Sequence, residues 1–274
     1  MAFQLTDEAI AGYYRDGFVI FRNIIPVSLV RDLRRECEKA RALARRIGGE
    51  SAQRLQPVGA HEGALDLGPF RNYGDLPELN HALHTLLSPA HRIGDLSVVG
   101  VFCEPAHASW CTKWHRDMTL ESSRLPKEEF HDLMLDWNTV NQVNCALYDD
   151  DCTWFVPGSH LRMRDMASET AATQRFDPKL HGAHPGVPGD EEAVERERAI
   201  TAYTKGMPGA VQFQLHAGDF ALYRPIGWHI GNYRPYKRRA TLHDGVFTPQ
   251  YEVWWKQWIK GGSPRWKKEA TAAT

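Results

Sequence analysis

Cysteine is scarce in this 274-residue chain and follows no pattern: Cys37, Cys103, Cys111, Cys145 and Cys152 are odd in number, scattered and without C-x-x-C spacing. That argues against a disulfide framework and against a thiolate zinc site, and for a reducing compartment. Charge of one sign is missing too, since 33 Lys and Arg face 34 Asp and Glu for a net charge of −1. With no basic excess and no acidic tail, no nucleic-acid partner is expected. No apolar run approaches a membrane span, and the opening M-A-F-Q-L-T-D-E lacks a charged segment leading into an apolar one. Neither membrane insertion nor a signal peptide is therefore expected, which makes a cytoplasmic protein the default. Repeats, low-complexity tracts and a convincing linker are also lacking, so one domain over residues 1–274 is the expectation.

What is present is ordinary for a soluble globular chain, 42% hydrophobic and 24% charged. Thr6 with Asp7 and Glu8 reads as a helix start and Gly17 as its stop, with a short strand at Phe18–Phe21. After Pro26 comes a longer helix with Val30, Leu33, Cys37, Ala40, Ala44 and Ile47 at helical spacing. Its remaining faces carry Arg31, Arg34, Arg35, Glu38, Lys39 and Arg41, which read as solvated. From about residue 93 the pattern turns β-like. Strands are predicted at 96–102, 141–148, 153–156, 210–215, 220–223 and 239–247. The polar stretch from Leu161 to Gly209 reads as a functional or mobile connection, and with the Trp254, Trp255, Trp258 and Trp266 tail it supplies the lid candidates. Helices followed by many short strands predict an α+β fold whose β part is a sandwich or barrel.

The chemistry-bearing residues are His115 and Asp117 in W-H-R-D-M and His229 in G-W-H-I-G-N. Residues i and i+2 of an extended segment share a face, so His115 and Asp117 converge while Arg116 points away. Two imidazoles and a carboxylate bind one face of a ferrous ion and leave the other positions open, as non-haem iron oxygenases require. His107, His131, His160, His181, His184, His216 and His243 have no such company and read as solvated or hydrogen-bonded.

These pieces stand in a specific order: L-T-D-E-A-I-A-G-Y-Y-R-D-G-F-V-I-F-R-N-I-I, W-H-R-D, D-D-D-C-T-W-F-V-P-G-S-H, A-G-D-F-A-L-Y-R-P-I-G-W-H and Y-K-R-R-A-T-L-H. Together they resemble the phytanoyl-CoA dioxygenase family of iron(II)/2-oxoglutarate oxygenases. The resemblance implies a double-stranded β-helix, a cupin-like jelly-roll core with supporting helices. It implies Fe(II) on His115, Asp117 and His229, with 2-oxoglutarate and O2 as co-substrates. The reaction class is oxidation, most simply hydroxylation, of a small organic molecule with release of succinate and CO2. Related halogenases carry a small residue in place of the carboxylate, so Asp117 favours oxidation over halogenation.

The far carboxylate of 2-oxoglutarate suits an arginine fork. Arg238 and Arg239 are candidates, and only one can face the interior. Arg238 shares a face with Ala240 and Leu242, so Arg238 is expected inward. Many family members place a serine two residues after the distal histidine to bind that carboxylate, where this chain has Gly231. Gln142 and Asn144 are candidate replacements. Arg162, Arg164 and Lys205 read as surface residues. The alternatives are a non-catalytic jelly-roll that binds a ligand and a metal cupin enzyme independent of 2-oxoglutarate. Oligomeric state, monomer or homodimer, does not follow from sequence.

Overall fold

The structure, a computed structural model, describes residues 5–123, 125–182 and 187–253. His184 and the tryptophans of the tail lie outside the described residues. Helix α1 (Asp7–Asp16) begins at Thr6, whose hydroxyl accepts from the Ala9 N–H at 3.2 Å and satisfies a first-turn donor. It ends at Gly17, where φ is 86° and the N–H bonds the Tyr13 carbonyl. A Cβ at Gly17 would overlap the His160 ring, so this glycine also lets the P-G-S-H turn dock on the first helix. His160 is fully buried there, with Nε2 3.3 Å from the Tyr14 carbonyl oxygen.

Strand β1 (Phe18–Phe21) leads into α2 (Val27–Gly48), and α3 (Gly68–Gly74) and α4 (Pro77–Leu86) follow. The expected stripe of α2 is buried at Val30, Leu33, Cys37, Ala40 and Ala44, while Ile47 is exposed. One member of the supposedly solvated face is also buried. Arg41, 4% exposed, reaches over the sheet to Glu104 and to the Arg239 carbonyl.

The remaining strands are β2 (Arg54–Leu55), β3 (Gly100–Cys103), β4 (Trp110–Cys111), β5 (Gln142–Ala146), β6 (Thr153–Phe155), β7 (Val211–Gln212), β8 (Phe220–Tyr223), β9 (His229–Tyr233) and β10 (Ala240–Gly245). They form a six-stranded sheet, β1-β8-β5-β10-β3-β2, and a four-stranded sheet, β4-β9-β6-β7. All pairings between these strands are antiparallel. This is the cupin-like jelly roll with supporting helices, an α+β fold. The strand predicted from Leu96 begins only at Gly100, because Asp95 accepts from the Ser97 N–H and hydroxyl and turns the chain first.

Most of the apolar core lies outside the barrel. Leu33, Cys37, Leu79 and Leu83 of the helices pack on Cys145, Leu222, Ala240 and Leu242 from the outer face of the large sheet. Inside, a smaller cluster of Ala146, Phe155, Phe213, Ala221 and Tyr223 closes one end between the sheets. Within the stretch from 161 to 209, the two described α-helices form a wall. Its helices α7 (Ala167–Gln174) and α8 (Asp190–Lys205) bring Ala172, Ile200 and Tyr203 onto Trp114, Trp228 and Ile230 behind the small sheet. Helices α5 (Leu120–Ser123) and α6 (Lys127–Leu135) pack Phe130, Leu133 and Met134 around Met118 and Ile226. Among the described residues no helix is long and apolar enough to cross a membrane.

Asp244 sits on the helix side of β10, 4% exposed, accepting from the N–H groups of Gly94 and Gly245 at 2.8 and 2.7 Å. Burial outweighs these bonds and pushes its pKa up to about 7. The folded state therefore holds this proton more tightly than the unfolded chain does, and stability falls as pH rises from about 4 through 7. Asp244→Asn keeps an acceptor without the charge. It should flatten that slope and gain about 1–3 kcal/mol on wild type between pH 5 and 8, read by urea denaturation at both pH values.

Candidate metal centre

Two backbone hydrogen bonds bring the distant motif residues together. The His115 N–H donates to the His229 carbonyl at 3.1 Å, and the His229 N–H returns the bond at 2.9 Å. Asp117 follows on the same face, its N–H bonded to the Pro225 carbonyl at 2.9 Å. Between them Arg116 points away, as alternation requires. Its guanidinium donates to the carbonyls of Ser159 and Ile226 at 2.8 and 2.9 Å and meets Asp165 at 3.0 Å. On the preceding side the Trp114 N–H donates to the Tyr203 hydroxyl of α8 at 3.0 Å. The W-H-R-D segment is thus pinned at each residue.

The ligand atoms of His115, Asp117 and His229 all lie within 4.8 Å of one another. Each Nε2 is 3.5 Å from the Asp117 Oδ1. His115 Nδ1 lies 2.7 Å from the Lys113 carbonyl and His229 Nδ1 3.0 Å from the Gly227 carbonyl. A carbonyl only accepts, so each Nδ1 carries a proton and each Nε2 is the nitrogen turned to the shared space. Two imidazole nitrogens and a carboxylate facing one point suit a cation. No other such group of His, Cys, Asp or Glu gathers among the described residues.

Burial, then the neighbouring His229, pushes the His115 pKa down to about 4, so its imidazole is neutral and able to bind metal at neutral pH. Burial works against the Asp117 carboxylate, but His229 and His115 outweigh it and hold its pKa below the usual value. Asp117 is nevertheless 44% exposed. The carboxylate thus borders open space, and its charge reaches Arg54 and His243 of the large sheet.

The interior face of the large sheet continues that space. Here the expectation for Arg238 is reversed: Arg238 is half-exposed, pairing with Glu38 and Glu104 on the helix side, while Arg239 is 6% exposed inside the barrel. The Arg239 guanidinium lies against the adjoining rings of Phe102 and Tyr233, 4.8 and 5.2 Å from their centroids, and its Nε donates to Asp150 at 2.9 Å. Alternation was read correctly but the faces were exchanged. Ala240 and Leu242 serve the core under the helices, so their partner Arg238 turns outward and Arg239 shares the interior with Thr241 and His243.

Asn144 spends one amide N–H on the Thr153 hydroxyl, 2.8 Å away across the sheets. Gln142 lies 2.8 Å from His243 Nε2, and burial, then the Arg54 charge, lowers the His243 pKa to about 3. A neutral His243 accepts there from the Gln142 amide. Gln142 Oε1 and Thr241 Oγ1 are buried without a partner, as expected of a cavity that takes a polar guest.

Sequence reading missed Arg54, Thr241, Tyr233 and the interior placement of His243. Tyr233 carries a usable signal, being four residues after His229 on the same strand face. Arg54, on the two-residue strand β2, carries none. Its register opposite Phe102 brings its charge within reach of Asp117, Tyr223 and Tyr233.

The family model for phytanoyl-CoA dioxygenase (PhyH) matches residues 13–232. The chain belongs to the phytanoyl-CoA dioxygenase family. This makes it an oxygenase of the non-haem iron, 2-oxoglutarate-dependent class. No curated protein sequence matches it significantly. Among solved structures it is similar to AviO1 from Streptomyces viridochromogenes Tue57, at 16% identity and a TM-score of 0.53 over 90% of this chain and 97% of that one. The non-haem α-ketoglutarate-dependent carbocyclase SnoK of nogalamycin biosynthesis gives 17% and 0.53 over 89% and 85%. The epimerase SnoN of the same biosynthesis gives 18% and 0.52 over 88% and 80%. These likenesses establish the fold.

The two arginines should separate cleanly on mutation. Arg239→Ala leaves the buried Asp150 charge unpaired and should cost about 3–5 kcal/mol of stability. Arg238→Ala removes a half-exposed pair and should cost about 1 kcal/mol or less. Denaturant midpoints at constant m-value measure both.

Proposed function

We propose that His115, Asp117 and His229 hold Fe(II), and that the chain hydroxylates a small organic substrate with 2-oxoglutarate as co-substrate. The observation that carries this reading is the convergence of two imidazole Nε2 atoms and one carboxylate on one point, with no fourth protein ligand in the group. A closed structural site would fill the coordination sphere, whereas three ligands on one side leave room for exchangeable groups. The bound metal and co-substrate supply the oxidising power. The protein's part is to fix their orientation and to control access.

Each residue then has a defined task. The Lys113 and Gly227 carbonyls set the imidazole tautomers. Arg116 anchors the loop between the two proximal ligands, so neither side chain swings out of the shared space. Arg239 offers the interior guanidinium for the far carboxylate of 2-oxoglutarate, in place of Arg238. Its Nε edge and one Nη1 hydrogen bond, to the Phe102 carbonyl at 3.1 Å, fix its plane and leave further donors for the co-substrate. Gln142 stands farther along the sheet, opposite Gly245, with its amide on His243. The structural neighbours include an epimerase and a carbocyclase. Outcomes other than hydroxylation are therefore compatible with this fold, and a product heavier by one oxygen is the mark of the reading proposed.

His115→Ala, Asp117→Ala and His229→Ala should each lower Fe(II) or Ni(II) affinity by at least about 100-fold while leaving the fold intact, as loss of one of three ligands implies. Calorimetric titration and circular dichroism check the two parts. Succinate formation by the wild type should require both Fe(II) and 2-oxoglutarate. Turnover that persists when the keto acid is left out would favour a cupin enzyme independent of it.

A further inference from the structure

Gly231 occupies the interior strand position between His229 and Tyr233, and what fills the space above it is a hydroxyl. A Cβ built at Gly231 would overlap the Tyr233 side chain, with the phenolic oxygen as its nearest atom. The tyrosine therefore folds back along its own strand and sets its hydroxyl over residue 231, where a side chain would otherwise stand. The ring has little choice of position. Trp110 packs on it at 4.6 Å between centroids, Phe102 at 5.0 Å, and the Arg239 guanidinium lies 5.2 Å from its centroid. Trp110 is itself held by a 2.6 Å hydrogen bond from its indole N–H to Gln53.

The hydroxyl has no hydrogen-bond partner among the described residues. Nearby, the Thr241 hydroxyl is buried and also unpartnered. Burial raises the Tyr233 pKa, so the phenol stays protonated and acts as a donor. A strand advances about 3.4 Å per residue, so a group over residue 231 lies about 7 Å along the strand from His229. That separation matches the reach of a five-carbon diacid chelated at one end beside His229.

We propose that the Tyr233 hydroxyl donates a hydrogen bond to the far carboxylate of 2-oxoglutarate, and that position 231 is glycine because this hydroxyl needs its space. The assignment rests on the iron/2-oxoglutarate reading above and deepens it. Tyr233 and Arg239 form one anion-binding end of the cavity, the ring stacking on the guanidinium while the hydroxyl reaches past it. Neither Gln142 nor Asn144 is then needed as the principal replacement for a serine.

The test uses redox-silent Mn(II) to load the site without turnover, with binding of 2-oxoglutarate measured by calorimetry. Tyr233→Phe should weaken 2-oxoglutarate about 10-fold or more, the loss expected for one hydrogen bond to a charged group, with Mn(II) affinity unchanged. Binding of 2-oxovalerate, which has the same chain length but no far carboxylate, should not respond to this change. A purely structural role for the hydroxyl would weaken both keto acids alike. Gly231→Ser alone should impair 2-oxoglutarate binding by displacing the ring. Gly231→Ser combined with Tyr233→Ala should bind it more tightly than Tyr233→Ala alone, since a hydroxyl is restored at the same place. If wild type and Tyr233→Phe bind 2-oxoglutarate equally, the assignment is overturned while the enzyme class stands. If the Mn(II)-loaded wild type binds none, the functional reading itself fails.

Discussion

The structure turns on a pair of backbone hydrogen bonds between His115 and His229. These residues are far apart in sequence and continue the antiparallel pairing of β4 with β9, and each donates its N–H to the other's carbonyl. Side chains directly opposite on antiparallel backbones stand close, and here the two rings lie 4.2 Å apart between centroids. Two imidazoles at that distance gain little from one another and are best explained by something they share. Asp117 completes the arrangement because it lies two residues beyond His115 on the same face. The site is therefore a consequence of strand register, and a slip of one residue would turn Arg116 inward and both ligands of that segment outward.

Register is protected from several sides. Arg116 crosses to carbonyls of the P-G-S-H turn and of the segment before β9, so the loop that presents Asp117 is tied to the loop that presents His229. Helix α8 holds Trp114 through the Tyr203 hydroxyl. The P-G-S-H turn in turn rests against Gly17 through His160. Motifs that looked independent in the sequence are links of one mechanical chain running from the first helix to His115, Asp117 and His229. Helices α7 and α8 supply the outer wall against which the small sheet is aligned.

Much of this was legible before the structure. The first helix with its Thr6 cap and Gly17 stop, the strands at Phe18–Phe21 and Phe220–Tyr223 and the grouping of His115, Asp117 and His229 all follow from periodicity, capping residues and motif order. What misled was the meaning of an apolar face. Reading Ala240 and Leu242 as interior residues assumed that the barrel's inside is its driest place. In this fold the helices cover the outside of the large sheet, so the strands turn their apolar residues outward and keep Arg239, Thr241, His243 and Gln142 within. Alternation along a strand is written in sequence, but which face meets the larger core depends on elements distant in the chain. The same cause explains Arg41, a charged residue of α2 that is buried because Glu104 and the Arg239 carbonyl await it at the sheet edge.

The polar interior also has to balance its charges, and the balance explains an otherwise odd feature, the burial of Asp150 against Arg239. Asp117 contributes one negative charge to the cavity and Arg54 one positive charge. The Arg239–Asp150 pair, at 2.9 Å and almost fully buried, adds none. A divalent metal and a doubly charged keto acid arrive with charges that cancel, so the loaded cavity has the same net charge as the empty one. Without Asp150 the unloaded barrel would carry an uncompensated guanidinium through folding, at a desolvation cost of several kcal/mol. With it, Arg239 is held in plane beforehand and need not be ordered when the co-substrate binds. The carboxylate of Asp150 tempers the attraction of Arg239 for an anion, and the second cation, Arg54, restores a positive field at the cavity mouth. Preorganisation is gained at some expense in raw electrostatic pull, a sound exchange for a site whose co-substrate must be positioned against a metal rather than merely captured.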